Sequence, residues 1–399
     1  MKNNTLVMFT TSYPYKGGEQ FIETEIEFLS KEFEKIIIVP AKKNNNIRKV
    51  PENVIIDDYM ADIDKGIFKR LVSLFNINFI KYLSLNKTEV KLLLIYMLYI
   101  RYYKKWLFKN TPEMNLNHTI FYSYWFSESP VALSFIKKQN PKIKFITRVH
   151  RGDLYESVHS INYFPFRQEV LNNINKVFSM SENGKRHLFE KYKIDSEKIT
   201  VSKLGILEHG NISYPSNDGI FRIASCSWIT SVKRVHLIVE MLSKVDSFSI
   251  KWTHFGDGEL KDEIDNLAKR ILPPNISYDL KGFVDNKDIY TYYKNNSVDL
   301  FVNSSSSEGI PVSIMEAQSF GIPVMATDVG GTSEIVNNDN GYLIENNDNI
   351  VNNITSTLIK ILQNKSIHNQ KREKSLKNFL NNFSANKNYV EFAKKVKEL

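Results

Sequence analysis

A chain of 399 residues is longer than one hydrophobic core usually organises, so two domains are expected. With 42% hydrophobic and 24% charged residues it is too apolar for a disordered chain. Its longest apolar helical run, Leu92 to Ile100, is nine residues, against the roughly 20 that a membrane-crossing helix needs. A single cysteine, Cys226, excludes an internal disulfide and suits a reducing compartment.

The elements alternate from the start. Thr5 to Thr10 reads as a first strand rather than a secretory leader, and Pro14 to Gly18 as a turn. A helical pattern follows through Phe21, Ile22, Glu25, Ile26, Phe28 and Leu29. Lys35 to Val39 is a short apolar strand ended by Pro40, of the kind buried on both faces of a parallel sheet. The net charge of +9 is concentrated in the next stretch, Lys65 to Lys109, which holds ten Lys or Arg and one acid, Glu89. Leucines and aromatics interleave with these cations. On helices that composition suits an anionic membrane surface, with nucleic acid as a rival partner and core packing beneath solvated lysines as the other alternative. Strands are expected at Thr119 to Tyr122, Ile143 to Val149 and Lys176 to Ser179, with helices between them, so the first half reads as a doubly wound α/β domain.

Glu208 to Gly219 is polar and turn-rich and is the expected linker. The pattern then restarts. Strands are expected at Phe221 to Cys226, Ser249 to His254, Ile276 to Leu280, Val298 to Val302 and Pro323 to Ala326, with a helix over Val232 to Leu242. From about Ile350 the chain is helical. The expected division is residues 1–207, residues 208–378, and a terminal helix over 379–399 returning to the first domain.

Residues 298–336, VDLFVNSSSSEGIPVSIMEAQSFGIPVMATDVGGTSEIV, carry the most chemistry. A strand runs into a serine-rich loop, Glu308-Gly309 follows, and Pro311 sits where a helix can begin without its N–H. Ligands of open α/β sheets lie beyond the carboxyl ends of strands, and helix starts attract phosphates. Glu308 and Glu316 are eight positions apart, roughly 12 Å if helical throughout. That is too far for two carboxylates working on one glycosidic bond, which stand ~5–9.5 Å apart. It suits two ends of one extended ligand.

The patterns Ser-x-x-Glu-Gly-x-Pro, Glu-Ala-x-x-x-Gly-x-Pro-Val and Gly-Gly-x-x-Glu-Ile-Val resemble the retaining glycosyltransferases of family 4. These are the group 1 transferases, with the GT-B fold of two Rossmann-like α/β domains facing a cleft. Their Glu-x7-Glu signature is met by Glu308 and Glu316. The resemblance implies that Glu308 binds hydroxyls of the donor sugar, Glu316 the nucleotide ribose, and the amides around Gly309 and Ile310 the donor phosphates. Lys233 corresponds to a diphosphate-binding lysine. The arginine usual about six residues earlier falls near Ser227, and Arg234 stands beside the lysine instead. Gly256 and Gly258 of FGDGE resemble the glycine turn of the nucleotide pocket, and Phe283 with Val284 the segment that frames the base.

In the first half, Gly17 and Gly18 resemble a loop that approaches the phosphates. His150 corresponds to a histidine at the donor sugar or reacting centre, with Arg148 and Asp153 as acceptor contacts. GGEQFIETEIEFLSKEF, RVHRGDLYES and SCSWITSVKRVHLIVEML resemble transferases of bacterial exopolysaccharide and capsule clusters, such as those for colanic acid and amylovoran. The resemblance implies no cofactor and no metal, the sugar nucleotide being a substrate. It implies a glycan acceptor, lipid-linked or free, at the inner membrane face. With the charge placement of Lys65 to Lys109, a cytoplasmic protein held peripherally on the plasma membrane through that segment is expected, with no nucleic acid partner. Asp62-Ile-Asp64 imitates a metal-binding Asp-x-Asp but precedes a basic helix and reads as coincidence. A sugar-nucleotide epimerase on the same fold, or a non-catalytic binder of membrane or nucleic acid, is the alternative.

Overall fold

Each half of the chain builds a wholly parallel sheet from short apolar strands. The computed structural model describes residues 4–63, 86–210 and 212–399. Residues up to Gly205 together with Ala385–Leu399 form one unit, and Ile206–Ser384 the other.

The first unit holds β1 (Thr5–Thr10), β2 (Lys35–Pro40), β3 (Val54–Ile56), β4 (Thr119–Ser123), β5 (Lys144–Val149), β6 (Lys176–Ser179) and β7 (Ile199–Val201), in the order β3-β2-β1-β4-β5-β6-β7. The second holds β8 (Phe221–Cys226), β9 (Ile250–Phe255), β10 (Ile276–Leu280), β11 (Leu300–Asn303), β12 (Val324–Thr327) and β13 (Gly341–Ile344), in the order β10-β9-β8-β11-β12-β13. Both orders grow outward from a central pair and reverse direction there, between β1 and β4 and between β8 and β11. Such a reversal leaves a crevice at the carboxyl ends of the central strands. The central strands are buried on both faces, as Leu6, Val7, Met8 and Phe9 in β1 show, which is why they read as continuous apolar runs. Val54–Ile56, Ile199–Val201 and Gly341–Ile344 escaped the sequence reading. All three are edge strands of three or four residues and are only partly buried.

The helices of the first unit include α1 (Phe21–Glu32), α2 (Tyr59–Asp62), α3 (Lys87–Asn110), α4 (Glu128–Lys137), α5 (Arg151–Leu154), α6 (Arg167–Asn173) and α7 (Glu182–Tyr192). Asn86 and Glu89 close a capping box at the start of α3. This helix corrects part of the membrane reading. Tyr102, Tyr103, Trp106 and Leu107 are core residues, the Trp106 ring packs edge-on to Phe9 at 5.5 Å, and its indole N–H donates to Asp57 at 2.8 Å. The exposed face keeps Lys87, Lys91, Arg101, Lys105, Phe108 and Lys109. Lys65 to Lys81 and Asp64 lie outside the described residues. Asp62 is paired with Lys43.

The second unit contributes α8 (His236–Leu242), α9 (Lys261–Ile271), α10 (Asn286–Asn295), α11 (Val312–Ser319), α12 (Ile350–Gln363) and α13 (Lys365–Asn382). The expected linker is not free. Ser216 donates twice to Asp299, at 2.9 and 2.6 Å, and Arg372 donates to the Ser213 carbonyl at 2.7 Å. The chain returns to the first unit later than residue 379. Phe379 and Phe383 stay with the second unit, and the return is made by α14 (Ala385–Lys397). Gly205 permits it, because a Cβ there would stand 2.4 Å from the Ala385 Cα. Phe392 of α14 then packs on Phe178 and Tyr122 at 4.9 and 5.6 Å.

Candidate functional site

The crevice of the second unit opens where β8 and β11 end. After β8 the chain does not pass straight into a helix. Residues 231–234 form a turn, Arg234 takes a left-handed φ of 47°, and α8 starts only at His236. The helix expected from Val232 is therefore shorter, and Lys233 and Arg234 precede it. This turn is bonded to the serine loop after β11. Arg234 donates through Nε to the Ser304 carbonyl and through Nη2 to the Ser305 carbonyl, both at 2.9 Å. Ser304 Oγ donates to the carbonyls of Lys233 and Arg234, and the Ser306 N–H to that of Val232. Arg234 thus braces the loop in this state.

The bracing sets Lys233 Nζ 2.6 Å from Glu308 Oε1. The Glu308 carboxylate is nearly buried, whereas the lysine is 27% exposed. Asn303 Nδ2 stands 3.4 Å from the same oxygen. Two glycines from the loop after β12 form the floor. At Gly330, with φ of 58°, a Cβ would lie 1.8 Å from the Glu308 carbonyl oxygen, and at Gly331 it would lie 2.4 Å from that of Gly309. The Gly331 N–H donates to the Gly309 carbonyl at 2.8 Å. Only glycine permits this approach. Gly309 and Ile310 lead into α11, whose first helical residue is Val312, so the Glu308–Glu316 spacing is half loop and half helix rather than helical throughout.

Glu316 is buried, not a surface helix residue. Asn286 Nδ2 and Tyr290 Oη of α10 donate to its Oε1 at 3.0 and 2.8 Å. Burial pushes its carboxyl up, partly opposed by the Tyr290 hydroxyl. Cys226, at the end of β8, feels both ends of the site. Its thiol is pushed up to about 12, by burial first and then by the Glu316 charge, with Lys233 pulling the other way.

Gly256 and Gly258 lie after β9 and permit backbone contact with the chain leaving β8. Cβ atoms there would stand 1.9 Å from the Ser227 carbonyl oxygen and 2.4 Å from that of Ile229. His254 supports the turn from beneath. Its Nε2 donates to the Ser227 carbonyl at 3.1 Å and its Nδ1 accepts from Ser225 at 2.8 Å, and burial holds the imidazole neutral, down at about 4. Phe283 is 62% exposed and faces Trp228, 59% exposed, at 6.4 Å between ring centroids. Val284 beside it is half-buried.

The remaining sequence-selected residues belong to the first unit. Arg148 is corrected. It is fully buried and so withdrawn from an acceptor: Nη2 pairs with Glu25 Oε2 at 3.3 Å, Nε donates to Tyr122 Oη at 3.2 Å, and the guanidinium lies 4.2 Å from the Phe392 ring centroid. Alternation along β5 sends it inward while its neighbour Thr147 bonds across the sheet to the Ser123 carbonyl. His150, at the end of β5, is 7% exposed, with its ring 4.3 Å from Trp125 and 4.7 Å from Tyr124. Asp153 accepts the N–H groups of His150 and Phe126 at 2.6 and 2.7 Å, which ties together the loops after β4 and β5. Gly17 has φ of 105°, and a Cβ there would meet no backbone; a Cβ at Gly18 would stand 3.5 Å from the Ser12 hydroxyl. Glu19 orders that loop. Its carboxylate accepts the N–H groups of Thr11, Ser12 and Tyr13 and the indole N–H of Trp125.

The structure therefore gathers Lys233, Arg234, Glu308, Gly309, Ile310 and Glu316 at one crevice, with Gly256, Gly258, Phe283 and Val284 along its β8–β10 flank. Gly17, Gly18, His150 and Asp153 are carried by the other unit. The sequence reading missed Glu19, Asn286, Tyr290 and the floor role of Gly330-Gly331, although it quoted the Gly-Gly motif itself. Among the described residues, no group of three His, Cys, Asp or Glu is placed to hold a metal ion. No described helix is long and apolar enough to cross a membrane.

Two Rossmann-like parallel units, the second with a charged and glycine-floored crevice, define the GT-B class of transferase folds. Residues 213–382, nearly the whole second unit, match the family of glycosyl transferases group 1. The chain is 32% identical over 127 residues to the O-antigen biosynthesis glycosyltransferase WbnH of Escherichia coli, a match covering 32% of this chain and 34% of that one. It is 33% identical over 121 residues to the UDP-Gal:alpha-D-GlcNAc-diphosphoundecaprenol alpha-1,3-galactosyltransferase of Escherichia coli, covering 28% of each. The match thus spans about a third of the length of these two relatives. A glycosyltransferase of Rickettsia africae shares the fold, with a TM-score of 0.68 and 19% identity over 99% of this chain and 98% of that one.

Proposed function

We propose that this protein transfers a sugar from a nucleoside diphosphate sugar to a glycan acceptor in the synthesis of a bacterial surface polysaccharide, with retention of anomeric configuration. The observation that carries this is the Lys233–Glu308 pair, 2.6 Å apart on a loop floored by Gly330 and Gly331 at the start of α11. A donor competes for both partners. Its diphosphate attracts Lys233 and the amides of Gly309 and Ile310 at the helix start, its sugar hydroxyls donate to Glu308, and its ribose hydroxyls donate to Glu316. Bond cleavage concentrates charge on the leaving diphosphate, and Lys233 is worth most at that point. The acceptor oxygen bonds to the anomeric carbon as the bond from that carbon to the phosphate oxygen breaks. The acceptor proton passes to that phosphate oxygen on the same face, so no enzymic nucleophile and no metal is needed. On the first unit, His150 and the Gly17-Gly18 loop are the residues assigned to the donor sugar and phosphates.

The E. coli galactosyltransferase acts, by its name, on a diphosphoundecaprenol-linked sugar. A lipid-linked acceptor in this case would bring the protein to the inner membrane face, where Lys87, Lys91, Arg101, Lys105 and Lys109 of α3 present a cationic surface. The test is a thermal-shift screen with UDP-, GDP- and ADP-sugars in the presence of a chelator, followed by NMR of the product linkage. One donor class stabilises the folded chain, and an α-configured donor gives an α-linked product. Stabilisation by none of the three, or an inverted product, contradicts the reading.

A further inference from the structure

Glu316 is not held by its own helix alone. Asn286 and Tyr290 stand one turn apart on α10 and so share a face of that helix. Asn286 Nδ2 and Tyr290 Oη donate to the same carboxylate oxygen of Glu316, Oε1, at 3.0 and 2.8 Å. An ionised carboxylate offers about four lone-pair sites, two on each oxygen, so Oε1 is fully engaged. Oε2 takes no hydrogen bond from the described residues. The side chain is thus turned so that one oxygen is committed to α10 and the other is left for a ligand.

The Tyr290 donor is itself fixed. Its ring centroid lies 4.3 Å from that of His209 and 6.1 Å from that of Phe320, the residue that ends α11. Burial first, and then the Glu316 charge, push its hydroxyl well above the usual tyrosine range, so it stays protonated and remains a donor. A carboxylate oriented before the ligand arrives costs little further entropy on binding.

The oxygen left over selects the ligand. Ribose brings two adjacent hydroxyls that can both donate to Oε2. A 2′-deoxyribose brings one, with a C–H in place of the other. Leaving a buried, charged acceptor short of a partner is costly, and a site built around a substrate hydroxyl discriminates sharply against the analogue that lacks it.

We propose that Asn286 and Tyr290 position Glu316 to receive both ribose hydroxyls on Oε2, and that the donor is therefore a ribonucleoside rather than a 2′-deoxyribonucleoside diphosphate sugar. The inference rests on the transferase reading above, in which the donor ribose lies at Glu316.

The full-length protein is titrated by calorimetry with UDP, GDP and ADP and with dUDP, dGDP and dADP. Three proteins are compared: the wild type, Tyr290→Phe, and Tyr290→Phe combined with Asn286→Ala. The ribonucleotide that binds the wild type does so about tenfold or more tightly than its deoxy form. Tyr290→Phe keeps the ring beside His209 and Phe320 and removes only the hydroxyl. It weakens the ribonucleotide by a few-fold and the double change by about tenfold, while the deoxynucleotide changes far less. The ratio of the two affinities therefore falls toward one, whereas general loosening of the crevice would weaken both forms alike. Should the double variant lose both forms, the ratio in Tyr290→Phe decides. Equal affinity of the wild type for the two forms overturns the ribose assignment, and a ratio unmoved by the substitutions overturns the positioning role. In either case nucleotide binding, and with it the donor reading, stands. If no ribonucleotide binds the wild type, the transferase reading falls and this inference falls with it.

Discussion

The two crevices of this molecule make a controlled comparison. Both sit at the reversal point of a parallel sheet in which the same central order, third-second-first-fourth, is built from similar apolar strands. Yet the crevice of the second unit is charged and floored by glycine, with Lys233, Glu308 and Glu316 around it, while that of the first is walled by Trp125, Tyr99 and Tyr103 with Glu128 and Asp153. The strands determine where a ligand can lie, and the loops beyond them determine which ligand.

The strongest way to break this comparison is Glu308→Gln. The substitution keeps the shape of the side chain and removes the charge facing Lys233. Transfer should fall by roughly 10²–10³-fold, the usual size for loss of a charge-bearing contact at a reacting centre, with the fold intact by circular dichroism. Activity within a few-fold of wild type, measured as released nucleoside diphosphate, would remove Glu308 from the site. Next in size is Lys233→Ala, which should cost about 2–4 kcal/mol in kcat/KM. Arg234→Ala should instead act through the serine loop it braces, lowering the melting temperature as well as activity. If Arg234→Ala alone is damaging and leaves the melting temperature intact, the two cations exchange roles.

A third change belongs to the first unit. Arg101, Lys104 and Lys105 replaced together by Glu should release the protein from phosphatidylglycerol vesicles in a sedimentation assay, each cation being worth up to ~1 kcal/mol near an anionic surface. Because Tyr96, Tyr102, Tyr103 and Trp106 of α3 are committed to the core, binding should be mainly ionic and fall steeply as salt rises. A wild-type protein that ignores the vesicles contradicts the membrane reading.

The smallest effect sharpens the second crevice. Burial raises the Glu316 carboxyl. A carboxyl with a raised folded pKa lends full stability only below its unfolded value and loses it as pH rises through the folded one. Glu316→Gln keeps an oxygen to accept from Tyr290 and Asn286, so it should raise the melting temperature near pH 7 by ~2 °C or more. The gap should close below about pH 4, where the unfolded carboxyl is also protonated. A gap that is absent at pH 7, or that widens in acid, contradicts the assigned environment.

How much of this was legible in the sequence depended on whether a feature is local. Thr5–Thr10, Lys176–Ser179, Phe221–Cys226 and Ile276–Leu280 are strands with the bounds read from the sequence, because each is an uninterrupted run between turn signals. The serine-rich loop after β11 and the helix start near Pro311 were equally visible. Arg148 was misread because a charged residue near a strand end looks accessible. Its buried partner Glu25 lies 123 positions away and carries no local sign of the pairing. The turn at Lys233 was taken for helix because nothing in an apolar-periodic run announces that Arg234 will adopt a left-handed backbone. The floor beneath Glu308 is a close approach between loops, visible in the sequence only as two glycines. The aromatic wall of the first crevice joins side chains from the strand ends with others from α3, and no single segment displays it.

The most direct measurement is calorimetric titration of the full-length protein with UDP, GDP and ADP in a chelator, for the wild type and Lys233→Ala. One nucleotide should bind the wild type without metal, and Lys233→Ala should weaken it about tenfold or more, as expected for loss of a charge-assisted contact to a phosphate. Binding of none of the three, or equal affinity in the two proteins, would contradict the assignment of the second crevice to the donor.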